Sequence, residues 1–374
     1  MGIVISIFTL FSCGGGSKTT TTEAEESLSQ ESLVLNLSQE ERLEIAKRYN
    51  KMEYLKEGLA RVQAIDNTKY GFIDVSGKEV IPCVYDDSGE FCEGLAWAKK
   101  GGKYGFIDKN GKEVIPFMYD GAGDFYAGLA WANKGGKYGF IDKSGKEIIP
   151  FMYDEAKRFN EGLAAVKKNG KWGFVDKTGK LNIPLVYSDA SSFAEGVARV
   201  MNNSKKCGYI DKTGKVVIQM NYDMASSFAN GYARVVNKFG SDAYEYAFIN
   251  KENKVVYGPY RGQGGRFMAT DPTDGWYLAS KQNLWFVPCK DENGKNVQGV
   301  FNIETGGILF YTKKVSGGRL FDEMGFFATI GVVDKNGVEI VPSTYEWVYP
   351  LRAAGFFRGG SDYYNFNGEY VGSF

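Results

Sequence analysis

One phrase, returning along the chain at a fixed interval, limits what this sequence can fold into. Tyr104-Gly105-Phe106-Ile107-Asp108-Lys109-Asn110-Gly111-Lys112-Glu113-Val114-Ile115-Pro116 recurs with small changes, its aromatic-Gly start falling at Tyr70, Tyr104, Tyr138 and Trp172, then at Cys207 in a degenerate copy. The spacings are 34, 34, 34 and 35 residues, and a stretched sixth copy begins at Tyr246. A second phrase precedes each copy: Glu57-Gly58-Leu59-Ala60, Glu93-Gly94-Leu95-Ala96, Ala127-Gly128-Leu129-Ala130, Glu161-Gly162-Leu163-Ala164, Glu195-Gly196-Val197-Ala198 and Asn230-Gly231-Tyr232-Ala233. A fixed period of this length is the mark of stacked supersecondary units, each too small to bury its own apolar face.

Within one unit the residues dictate three strands. Gly94 to Lys100 alternates large and small side chains, and Gly101-Gly102-Lys103 turns the chain, since glycine takes positive φ without steric cost. Tyr104 to Asp108 is a second strand, with aromatics two apart on one face. Asp108-Lys109-Asn110-Gly111 reads as a hairpin loop capped by the Asp side chain, with Gly111 left-handed. Glu113 to Ile115 is a third strand, ended by Pro116, and Tyr119-Asp120 opens a return loop through Phe125. The fold class expected is therefore all-β: tandem ~34-residue three-stranded antiparallel meanders stacked as an open superhelical array, or closed into a propeller-like ring.

The unit, including Lys171-Trp172-Gly173, resembles the WG (KWG) β-repeat family of bacterial proteins over roughly residues 57–260. That resemblance implies a repeat array in secreted or envelope-associated proteins; it brings no reaction and no catalytic residues. From 261 to 374 the period is lost but related phrases persist, at Gly299-Val300-Phe301-Asn302-Ile303, at Gly331 to Tyr345 and at Tyr364 to Val371, which reads as a diverged β-repeat region.

The N-terminal segment sets the expected address. Met1 to Ser12 is uncharged and apolar, too short to span a bilayer as a helix but long enough for a signal-peptide core, so 1–12 is read as a lipoprotein-type signal peptide. Leu10-Phe11-Ser12-Cys13-Gly14 resembles a bacterial lipobox, making Cys13 the lipid attachment residue and the bacterial cell envelope, periplasmic or surface-exposed, the location. Two other readings of this start compete: an N-myristoylation site at Met1-Gly2-Ile3-Val4-Ile5-Ser6, and a buried N-terminal strand. Residues 13–37, rich in Ser, Thr and Glu, read as a flexible tether. Ser38-Gln39-Glu40-Glu41 has capping-box spacing, and Leu43, Ala46, Tyr49 and Met52 fall three apart, which predicts one capping helix over 38–56 covering the first edge of the array.

Function is bounded mostly by exclusion. The chain has no histidine, which removes Ser-His-Asp and Cys-His catalysis and His-containing zinc sites. No CxxC pair exists, and Asp291-Glu292-Asn293-Gly294 lacks the spacing of a calcium loop, so no metal and no cofactor is expected. Cys83 and Cys92 occupy slots filled by Phe or Tyr in neighbouring copies and are expected to pack rather than pair. Net charge is zero, with a basic surplus over 94–219 and an acidic one over 18–93; the lysines fall in hairpin turns, where they are solvated, and no nucleic-acid partner is expected. Trp97 and Trp131 share a repeat position and read as packing residues; Trp276 and Trp285 are freer and are the candidate ligand-binding residues. The expectation is a non-enzymatic, membrane-tethered binding scaffold whose partner is an envelope protein or a glycan. A glycan-binding module using Trp276 and Trp285 is the alternative, and a carboxylate-based hydrolase in the C-terminal third is the remaining option.

Overall fold

The computed structural model describes residues 35–229, 231–239 and 243–263. Beyond these it describes 284–290, 296–302, 307–312, 326–328, 331–333, 339–341, 348–351, 354, 356–359, 361–365 and 369–373. Helix α1, Gln39–Ala46, opens the fold. The capping box is formed: Glu41 N–H donates to Ser38 Oγ at 3.3 Å while Ser38 N–H donates to Glu41 Oε2 at 2.9 Å. The helix stops well short of residue 56. Residues Tyr49–Lys56 form strand β1, followed by β2 (Leu59–Ala64), β3 (Tyr70–Asp74) and β4 (Glu79–Tyr85) in an antiparallel meander. The three-residue spacing that suggested a longer helix has a different cause. The β1–β2 pairing is broken by register shifts between Tyr49 and Lys51 and between Met52 and Leu55, so the buried side chains are Tyr49, Met52 and Leu55. Strand irregularities thus reproduce a helix-like period.

The second unit shows how every later one is built. Its strands are β5 (Asp87–Ser88), β6 (Leu95–Lys100), β7 (Lys103–Asp108) and β8 (Glu113–Tyr119), hydrogen-bonded in that order. The expected return loop therefore contributes a short fourth strand, pairing Asp87 with Lys99 and Ser88 with Ala98. Four-stranded sheets of the same order follow, their longer strands at 129–134, 137–142 and 147–153; 163–168, 171–176 and 181–187; 197–201, 207–211 and 216–222; and 232–238, 243–250 and 255–263. The C-terminal region adds three-stranded sheets at 284–312 and 326–341.

The repeated phrase is explained by a bulge. Pro116 does not end its strand; β8 runs through it to Tyr119, with register shifts between Tyr104 and Phe106 and between Phe106 and Ile107. As β8 is an edge strand, the missing proline N–H leaves no ladder bond unmade. The bulge folds Ile115-Pro116-Phe117 over Gly105, where a Cβ would stand 2.6 Å from the Ile115 carbonyl oxygen. Gly71, Gly139, Gly173 and Gly208 are crowded by backbone in the same way, so the glycine after the aromatic is a close-approach residue. The following hairpin is as expected: Asp108 Oδ1 accepts from the N–H groups of Asn110 and Lys112, both at 2.9 Å, and Gly111 has φ +77°.

Neighbouring units share cores. Phe106 of the second unit and Phe125 of the third lie 4.8 Å apart, ring centre to ring centre, and both are fully buried. Phe72–Phe91, Phe140–Phe159, Phe174–Phe193 and Tyr209–Phe228 repeat the contact at 4.8 Å. Burying one such ring contributes roughly 2–3 kcal/mol, which makes each unit dependent on the next.

The first and last parts of the chain meet. Strand Val348–Leu351 runs parallel beside β1 with Leu351 opposite Met52, so one eight-stranded sheet holds the first unit and the strands 348–351, 356–359, 362–365 and 370–373. Helix α1 packs at this seam. Arg42 Nη1 donates to the Ala354 carbonyl at 3.1 Å, and Ile45 and Ala46 share a core with Leu351, Phe356 and Tyr363. Such a seam is the contact that a propeller-like ring requires.

Candidate functional site

In a chain whose units share one skeleton, the informative residues lie where the skeleton leaves the choice open. They gather on one rim of the array, in the turn that precedes each long inner strand, Leu55-Lys56-Glu57-Gly58 in the first unit and Phe-x-x-Gly in the later ones. Four of these turns carry a glutamate in left-handed conformation, Glu57, Glu93, Glu161 and Glu195, at φ between 51° and 55°. A non-glycine residue there costs about 1 kcal/mol or more, so a compensating contact is expected, and it is present. Each carboxylate accepts the glycine N–H of the next unit: Glu57 from Gly94 at 3.0 Å, Glu93 from Gly128 at 3.0 Å, Glu161 from Gly196 at 3.0 Å and Glu195 from Gly231 at 2.9 Å. Each also pairs with the hairpin lysine of that next unit: Lys109, Lys143, Lys212 and Lys251, at 3.2, 3.2, 2.9 and 3.3 Å. One carboxylate thus bridges an amide and an ammonium across every such junction.

Beside this latch runs a second line of contacts with changing chemistry. Lys56 pairs with Glu90 at 3.1 Å across the first junction. Asp124 holds the same slot as Glu90 one unit on, and it receives a hydrogen bond from Trp97. One Asp124 oxygen is buried without a partner, and burial pushes the carboxyl above the usual carboxylate range, against the pull of Lys56 and Arg158 and with the push of Glu90. Among the described residues no other Asp or Glu is displaced in that direction. Arg158, next in the line, stacks on the Tyr126 ring at 5.3 Å. At the following junction Asn160 Nδ2 donates to the Phe193 carbonyl at 2.7 Å. This rim offers charged and hydrogen-bonding groups over a long surface.

Trp97 and Trp131 are half-buried and packed, as their shared position suggested. A Cβ at Gly89 would lie 2.3 Å from Trp97 Nε1, and one at Gly123 would lie 2.1 Å from Trp131 Nε1. Where the tryptophan is replaced by Arg199 or Arg234, the glycine is replaced by Ser191 or Ser226, whose hydroxyl accepts the arginine's backbone N–H at 3.0 or 2.9 Å. Of the other candidates, Cys13 and Trp276 lie outside the described residues; Trp285 sits in strand Leu284–Lys290 opposite Phe301, with its side chain outside what is described. Cys83 and Cys207 are free thiols, and Cys92 is buried. Among the described residues no cluster of three or more His, Cys, Asp or Glu is placed to hold a metal ion. The latch and the buried Asp124 were not found from sequence, although the replacement of Glu by Ala127 in one copy was a visible signal.

Comparisons with known proteins bear on the repeat. The family described as WG containing repeat matches residues 70–104, 104–138, 138–172, 172–205, 208–238 and 330–358. No curated protein matches. Among solved structures, the computationally designed Ika8 protein is similar over 78% of this chain and 95% of its own, at 11% identity and a TM-score of 0.42. BamB from Moraxella catarrhalis is similar over 66% and 77%, at 10% identity and TM-score 0.36. Hsv2p of Kluyveromyces lactis is similar over 67% and 89%, at 10% identity and TM-score 0.38.

Proposed function

The chain belongs to the family of WG-containing repeats, and from that premise we propose that it is a non-enzymatic scaffold, tethered to a membrane of the bacterial cell envelope, that binds a macromolecular partner there. The observation that carries the binding role is the rim: a periodic skeleton presents the same turn again and again, while the residues beside it change from Lys56 and Glu90 to Asp124, Tyr126, Arg158 and Asn160. Such a surface suits an extended partner that makes many modest contacts. The tether rests on the sequence of residues 1–37, with Cys13 as the lipidated residue.

Two measurements test this reading. Metabolic labelling with a fatty-acid analogue should mark the wild-type chain and leave Cys13→Ser unmarked; equal labelling of both removes the anchor. The tagged full-length chain, solubilised in mild detergent, is then used to capture envelope proteins and, in parallel, is passed over purified cell-wall and capsular glycans. A protein partner that survives moderate salt supports the scaffold, whereas retention on glycan alone overturns it in favour of sugar binding. Retention on neither overturns both.

A further inference from the structure

Among the described residues the latch is broken between the third and fourth units. There the bridging position is Ala127, which keeps the left-handed backbone of its four counterparts, φ 54°, without a carboxylate to compensate. The donors it would have served are still there. Gly162 stands where Gly94, Gly128, Gly196 and Gly231 stand, φ +92°, and its N–H has no partner among the described residues. Lys177 occupies the hairpin slot of Lys109, Lys143, Lys212 and Lys251, is exposed, and makes no ion pair among the described residues. Four neighbouring junctions therefore show what this donor pair holds: a carboxylate, 2.9–3.0 Å from the amide and 2.9–3.3 Å from the ammonium.

We propose that the junction at Ala127 is a receptor for a carboxylate side chain supplied from outside the array, by an acidic peptide segment of a partner protein. The surroundings favour that occupant. Tyr126 is adjacent, and the exposed Arg158 lies over its ring at 5.3 Å with no ion pair among the described residues, so a second cation flanks the gap. An alanine leaves the volume of a glutamate side chain free, which a carboxylate arriving on its own chain fills. Naming an acidic partner rests on the scaffold reading; the site itself rests on the four filled copies.

The test uses the full-length isotope-labelled chain, titrated with an N-acetylated, C-amidated hexaglutamate peptide and followed through backbone amide resonances. The Gly162 amide should shift saturably, while the Gly128 amide, already occupied by Glu93, stays in place. Ala127→Glu, which restores the residue found at four other junctions, should abolish the response, and Lys177→Gln should weaken it about five-fold. A hexaglutamine peptide should leave Gly162 unmoved. A silent Gly162, or Ala127→Glu binding as the wild type does, overturns the site. Capture of an envelope partner is read separately. A blank capture with a saturable Gly162 shift retires the scaffold and keeps the site; a captured partner with a silent Gly162 does the reverse.

Discussion

Replacing Gly139 by alanine tests the reason for the repeat's signature glycine. A Cβ at this position would stand 2.6 Å from the Ile149 carbonyl oxygen and 2.9 Å from the Phe151 nitrogen, against about 3.5 Å for an unstrained heavy-atom contact. Both neighbours are backbone, so no side chain can rotate away. The bulge of strand Glu147–Tyr153 must lift by a large part of an ångström, loosening the pairs Phe140–Ile149 and Tyr138–Tyr153. Overpacking of this kind costs about 1–3 kcal/mol and one weakened ladder bond about 1 kcal/mol more; the stiffer unfolded chain offsets some tenths. A net loss of about 2–3 kcal/mol follows. Gly136→Ala in the same unit is the control: its φ is +76° and nothing lies within 4 Å, so only the left-handed penalty of about 1 kcal/mol applies. Because repeat arrays can open unit by unit, the assay is native-state hydrogen exchange of peptides within 129–153, with 163–187 as reference. Gly139→Ala should speed exchange there about 30- to 150-fold and Gly136→Ala about five-fold. If Gly139→Ala falls within about 0.5 kcal/mol of wild type, or Gly136→Ala proves the costlier, the close-approach argument is wrong.

Glu93→Ala removes a carboxylate that serves both Gly128 and Lys143, and should lower stability in urea by about 1–2 kcal/mol, more than Lys143→Ala does; the reverse order would mean that the ion pair, not the amide, is the main contact. Acid should unfold the array from its turns. Hydroxyls of Ser76, Ser144, Thr178 and Thr213 hold Asp74, Asp142, Asp176 and Asp211 below the usual carboxylate range, and Lys103 and Lys137 do the same to Asp120 and Asp154. Depressed folded-state values give stability that is complete above the unfolded value of about 3.9 and is lost as pH falls below it, so Tm should be level from about pH 7 to 5 and drop steeply toward pH 3. A Tm that holds at pH 3 would contradict this. Burial pushes the Cys83 thiol up to about 12 and raises that of Cys207, so neither should react with a maleimide at pH 7.5 in the native state on the timescale that labels the unfolded chain; rapid native labelling at either position would refute the packing role.

The parts of this fold that could be read in advance are those set by short-range chemistry. The Asp108 turn is local, its oxygen reaching N–H groups two and four residues on, and the sequence shows it directly. Helix α1 began where its capping box said, but its end was hidden because β1, bent by irregular pairing, buries every third residue. Strands as short as Asp87–Ser88 carry no period, and Pro116 looked like a terminator because nothing local reveals that β8 is an edge. The latch was out of reach for a different reason. Glu57 meets partners 37 and 52 residues away, in the next unit, and only the stacking of units brings them together.

The seam between Val348–Leu351 and β1 has a consequence for how such a gene can change. Tandem segments this alike invite duplication and loss of whole units, and an array with two free ends would absorb either event by growing or shrinking. Here the first unit is hydrogen-bonded to strands near the end of the chain, so an added or missing unit must displace one side of that joint from the other. Arg358, which reaches the Tyr49 carbonyl and the Asn50 side chain from across the seam, acts as a gauge of the number of units between them. Copy number in this lineage should therefore be held by the joint, while the rim residues, which the joint does not touch, remain free to diverge.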